Sequence, residues 1–125
     1  MSRNEGVKPI RWMRSSRGDL KTFPLDARGE LGHGLHLVQC GERPKNEKPL
    51  HDDLSGISEL VANSEDGNTY RSVFTIKLDP FVYVLHCFEK KAKSGIATPK
   101  RELDVIRKRL KEAKGEYREY QRENS

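Results

Sequence analysis

Arg71 stands in the middle of "TYRSVF", a run that otherwise reads as the core of a β-strand. A guanidinium keeps its charge, so an arginine there must either pair with a carboxylate or face an open, anion-binding side of a sheet. The next strand-like run, "YVLHCFEKK", carries His86, Phe88 and Lys90 at alternate positions and therefore on one face, with Lys91 opposite unless the strand ends first. Lys93 follows, and Lys48 lies just before the first strand of the same region. On an open sheet face these residues would supply Arg and Lys for phosphate, His for proton transfer and Phe for stacking. Attack of an RNA 2′-OH on the adjacent phosphate needs such help: a base for the 2′ proton, cations for the pentacoordinate phosphate and an acid for the 5′ oxygen. The plainer reading pairs Arg71 with Glu59 and lets the lysines snorkel from a strand end. On residue chemistry alone the plainer reading has the advantage, since charge at strand ends is common.

The elements that must position these residues fit one domain. The chain has 125 residues, 34% hydrophobic and 34% charged, so a small core sits under a heavily charged surface. A net charge of +5 favours polyanionic partners. Cys40 and Cys87 do not form a secreted disulfide framework, and there is neither a signal-peptide pattern nor a run of 18 apolar residues. The expectation is a soluble cytoplasmic protein with no membrane partner, a single domain over 1–125 with loose ends at 1–6 and 121–125.

A short strand is expected within Val7–Met13, with Ile10 and Trp12 on one face. Ser16 and Asp19 resemble a helix start, and Pro24 separates that helix from a second over Leu25–Gln39. Gly29, Gly32 and Gly34 weaken the second helix unless it packs closely on something. Cys40–Asp53 reads as a polar connector. Strands are expected at Ile57–Ala62, Thr69–Leu78 and Phe81–Lys90, joined by turns at Asp66-Gly67 and Asp79-Pro80, hence an antiparallel meander. Thr98 and Pro99 open a long helix whose Leu103, Ile106, Leu110, Ala113, Tyr117 and Tyr120 form one apolar stripe. The class is α+β, with helices covering one sheet face.

Two other chemistries fit less well. His33, His36 and Cys40 fall on one side of the second helix and Cys87 could approach, but no established zinc spacing is present and no metal is expected. No glycine-rich phosphate loop is present, and no cofactor is expected.

The segments "FPLDARGELGHGLHLVQCGERP", "KPL" followed by "LSG", "GNTYRSVFTIKL" and "YVLHCFEKKAKSGIATPKRELDVIRKRLK" resemble the phage-derived, HigB-like toxins of the RelE/ParE superfamily, over roughly residues 8–115. The resemblance implies a RelE-like α+β fold: an N-terminal strand and two short helices, an antiparallel meander and a C-terminal helix. It implies a toxin of a type II toxin–antitoxin system that cuts mRNA on the ribosome without metal or cofactor. Its partner would be a cognate helix-turn-helix, HigA-like antitoxin, with DNA met only through the antitoxin complex. Carried over by position, Arg71, Lys90 and Lys91 are catalytic, and Lys48 is an RNA contact. From chemistry His86 joins the catalytic set, and Phe88 and Lys93 join the RNA-binding set. Where relatives are expected to read "ELR" this chain has "ELVA", so Val61 takes the place of a second arginine. Two alternatives share the fold or the charge: a ParE-type gyrase inhibitor and a non-catalytic basic RNA- or protein-binding module.

Overall fold

The computed structural model describes residues 6–50, 53–90 and 98–125. In chain order they form β1 (Ile10–Trp12), α1 (Ser16–Lys21), α2 (Leu25–Gln39), β2 (Glu47–Pro49), β3 (Ile57–Asn63), β4 (Thr69–Thr75), β5 (Val82–Lys90) and α3 (Lys100–Glu123). The expected meander is present: β3, β4 and β5 pair antiparallel in sequence order. Gly67, at φ +89°, takes the left-handed position in the β3–β4 turn, a conformation open to glycine without steric cost.

Among the described residues the five-stranded sheet is ordered β1-β5-β4-β3-β2. Both edges are short strands. β1 runs parallel to β5, pairing Ile10 with Val82 and Trp12 with Val84. β2 lies inside the segment expected to be a polar connector, and pairs antiparallel with β3. Its charged residues and Pro49 hide it from a period-2 reading, yet they suit an edge that must resist further pairing.

Helices cover both faces of the sheet, not one. On the first face, Leu20, Phe23, Ala27, Leu31, Leu35 and Val38 of the α1–α2 region pack on Leu60, Ala62, Tyr70, Phe74, Val82, Val84 and Cys87. Gly34 explains one of the three α2 glycines: a Cβ there would sit 3.0 Å from Leu60 Cδ1, so the helix lies close on β3. Gly29 and Gly32 meet nothing within 4 Å. On the second face the apolar stripe of α3 packs with Met13, Leu54, Ile57, Val73, Phe81, Tyr83, Leu85 and Phe88. Truncating a fully buried leucine such as Leu31 or Leu85 to alanine costs about 2–5 kcal/mol at such positions.

α2 starts at Leu25 as expected, while the caps of α1 and α3 each differ by one residue from expectation, within the normal fraying of helix ends. Ser15, not Ser16, is the N-cap of α1, and its hydroxyl donates to Asp19 Oδ2 at 2.7 Å. Ser16 is buried instead, its hydroxyl donating to the Val84 carbonyl at 3.3 Å. Pro99 caps α3, and Thr98 donates towards Glu59 Oε2 at 3.5 Å. The last helix runs on to Glu123, so most of the tail expected to be loose is helical.

A register shift in the β4–β5 ladder sets which side of the sheet each β5 residue faces. Val73 pairs with His86, but the next residue, Phe74, pairs with Val84. Leu85 is therefore an extra residue, a bulge, and the alternation of β5 restarts after it. Val82 and Val84 face α1 and α2, whereas Leu85 and Phe88 belong to the α3 side, with His86 bonded to α3 side chains.

Candidate functional site

Antiparallel partners that stand directly opposite share a face of the sheet. Lys48, Glu59, Val73 and His86 therefore form one row across β2, β3, β4 and β5 on the α3 side. Val61, Arg71 and Phe88 form the next row, and Thr69 with Lys90 the one after. The register thus brings Lys48, Arg71, His86, Phe88 and Lys90 to the same face, as the alternation of the strands predicts.

Arg71 is buried and its Nη1 donates to Glu59 Oε1 at 2.5 Å. The ion pair expected on the plainer reading is present. It does not use the whole guanidinium: among the described residues, buried Arg71 Nε has no hydrogen-bond partner. Lys90 is also buried, at 6% exposure, so it does not snorkel. Burial lowers its pKa from the ordinary lysine value, the Arg71 charge lowers it further and Glu59 opposes both. The fold thus holds two like charges near one carboxylate. Val61, opposite Arg71, adds no third cation.

His86 faces α3 and both its nitrogens are engaged. Nε2 lies 2.8 Å from Glu102 Oε1 and Nδ1 lies 3.3 Å from Arg109 Nη1. A guanidinium only donates and a carboxylate only accepts, so Nδ1 carries the lone pair and Nε2 the proton. Arg109 also donates to the Leu85 carbonyl at 3.1 Å and to the Ser15 hydroxyl at 3.2 Å, tying α3 to the bulge and to the start of α1.

Phe88 lies on the same face as His86. It is buried with its ring stacked on His86, 5.0 Å between centroids. Lys48 is exposed on the edge strand. Lys91 and Lys93 lie outside the described residues. Sequence reasoning missed Glu102 and Arg109. They stand seven residues apart, on one side of α3 beside its apolar stripe, which is the signal that could have found them.

The histidine–cysteine reading separates in space. His36 and Cys40 touch at 3.7 Å on the exposed side of α2. Cys87 is buried in the core on the opposite side of that helix, donating to Ser72 Oγ at 3.4 Å, and burial pushes its thiol up to about 12. Among the described residues no group of three or more His, Cys, Asp or Glu could hold a metal ion. No helix among them is long and apolar enough to cross a membrane.

The order of elements and the sheet topology define a RelE-like α+β fold. A chain of the toxin–antitoxin complex RelBE2 from Mycobacterium tuberculosis is similar in structure, with a TM-score of 0.50 and 18% identity, over 69% of this chain and 94% of that one. The model of the phage-derived protein Gp49-like family (DUF891) matches residues 18–111, and the chain belongs to that family. No curated relative matches the sequence.

Proposed function

We propose that this protein is the toxin of a type II toxin–antitoxin system, of the HigB-like branch, acting as a ribosome-dependent mRNA endoribonuclease. The observation that carries the reading is the pair of like charges, Arg71 and Lys90, buried on one sheet face with Lys48 on its rim. Burial and the Arg71 guanidinium both disfavour the Lys90 charge, and an anion arriving between the two cations would favour it. The phosphate of an RNA chain has the charge and the oxygen acceptors to do so. Arg71 Nε is a donor still to be matched, and the Glu59 bond fixes the plane in which it points.

In this reading the cations stabilise the pentacoordinate phosphate while the 2′ oxygen attacks it, a step that takes no metal. Lys91 and Lys93, which come soon after Lys90 in the chain, are proposed as further cations for the RNA. The partners are mRNA on the ribosome and a HigA-like helix-turn-helix antitoxin that silences the toxin and carries the complex to DNA. The site of action is the cytoplasm. Family membership and the RelE-like fold support the toxin role.

The test is induction of the chain in bacteria, following protein synthesis, mRNA integrity and DNA damage together. Rapid loss of protein synthesis with cleaved mRNA is expected. A DNA-damage response with intact mRNA would replace the reading with gyrase inhibition, and unchanged growth would leave a non-catalytic binding module.

A further inference from the structure

The proposed reaction needs a group that takes the 2′ proton, and the sequence nominates His86. The geometry points elsewhere. Nε2 of His86 keeps its proton and donates a hydrogen bond to Glu102, and Nδ1 faces the guanidinium of Arg109 at 3.3 Å. Protonating Nδ1 would set two donors against each other, with Arg109 anchored in place by the Leu85 carbonyl and the Ser15 hydroxyl. As held here, the imidazole has no lone pair free to accept a proton.

The remaining acceptor in this chain of contacts is Glu102. Its Oε1 accepts the His86 hydrogen bond at 2.8 Å, while Oε2 faces Arg101 Nε at 3.7 Å, beyond hydrogen-bond range. We infer that Glu102 is the general base of the site, that His86 orients it, and that Arg109 fixes the His86 tautomer that makes this orientation possible. The inference rests on the nuclease reading above. Glu102 is then catalytic, while His86 and Arg109 are positioning residues. The arrangement has the logic of a base aligned by a third group, with the histidine moved from the proton-accepting place to the orienting one.

In the reaction the 2′-OH proton passes to Glu102 Oε2, the bond from the 2′ oxygen to phosphorus forms, and the bond from phosphorus to the 5′ oxygen breaks. The leaving 5′ oxygen takes a proton from the Lys90 ammonium. The products are a 2′,3′-cyclic phosphate and a 5′-hydroxyl, and proton exchange with water restores both side chains.

The experiment compares wild type with Glu102→Gln, whose amide oxygen can still accept from His86 Nε2 but cannot take up a proton. Single-turnover cleavage of mRNA on purified ribosomes is measured beside the 15N signals of His86. The expected result is an Nε2–H imidazole in both proteins and cleavage slowed by about 100-fold or more in the variant, the range for loss of a general base. Wild-type cleavage with Glu102→Gln within about threefold of it would overturn the inference alone. So would an Nδ1–H imidazole in the wild type, or slowed cleavage accompanied by a changed tautomer or a lost fold. Failure of the wild type to cleave overturns the nuclease reading, and the inference with it.

Discussion

Glu59, Arg71 and Lys90 share one buried neighbourhood and pull stability in different directions. Breaking the Glu59–Arg71 pair leaves a charge buried without its partner, which costs about 3–5 kcal/mol. Urea denaturation of Glu59→Gln and Arg71→Gln should show losses of that order. Lys90 is the reverse case, because its lowered pKa means that the folded protein disfavours its charge, through burial first and Arg71 second. Lys90→Met is therefore predicted to unfold at no lower urea concentration than wild type while abolishing growth arrest. A loss of about 2 kcal/mol or more would make Lys90 a structural residue. The alternation of "YVLHCFEKK" revealed the shared face of His86, Phe88 and Lys90, and the mid-strand position of Arg71 posed the right question about its partner. The contacts of His86 were hidden, since they depend on Glu102 and Arg109, sixteen and twenty-three residues away on another element.

At the scale of elements, the β5 bulge decides which side of the sheet His86 occupies. Unbroken alternation would put His86 with Val82 and Val84 against α1 and α2; the extra Leu85 turns it towards α3. No residue type in "VYVLHCF" announces the bulge, which is fixed by pairing with β4 across the turn. The same limit hid the parallel β1–β5 pairing and the edge strand β2, since both rest on partners distant in sequence. The long helix was legible because its apolar stripe spans many turns. The glycines of α2 allow a paired test by thermal or urea denaturation. Gly32→Ala, in open space on the helix, should stabilise by about 1 kcal/mol. Gly34→Leu must displace Leu60 and should destabilise by about 1–3 kcal/mol. Equal effects at the two positions would contradict the close seat of α2 on β3.

For the whole molecule, the charged surface makes stability depend on pH at both ends. Asp26 is held below its ordinary value of 3.8 by the Glu65 backbone N–H and the Ser64 hydroxyl, Asp53 by Arg107, and Asp66 by the Tyr70 hydroxyl and the Asn68 N–H. Arg14 likewise holds Glu112 below 4.5. The unfolded chain binds these protons first as pH falls, so the stability these groups contribute is present above about pH 4–5 and is lost on further acidification. Cys87 has the opposite sign. Burial raises it from 9.0 to about 12, so its contribution is complete below pH 9 and declines as pH rises towards 12. Urea midpoints measured across pH should form a plateau between these limits, and a maximum below pH 4 would contradict the assignments. The net charge of +5 fits a molecule that works against a polyanion, but charge alone names no reaction. The most direct measurement adds the purified protein to ribosomes stalled on a defined mRNA and maps the RNA ends. Cleavage at the codon in the ribosomal A site is predicted for wild type, and intact message for Lys90→Met. Intact message with wild type, or equal cleavage by both proteins, would contradict the proposed nuclease site.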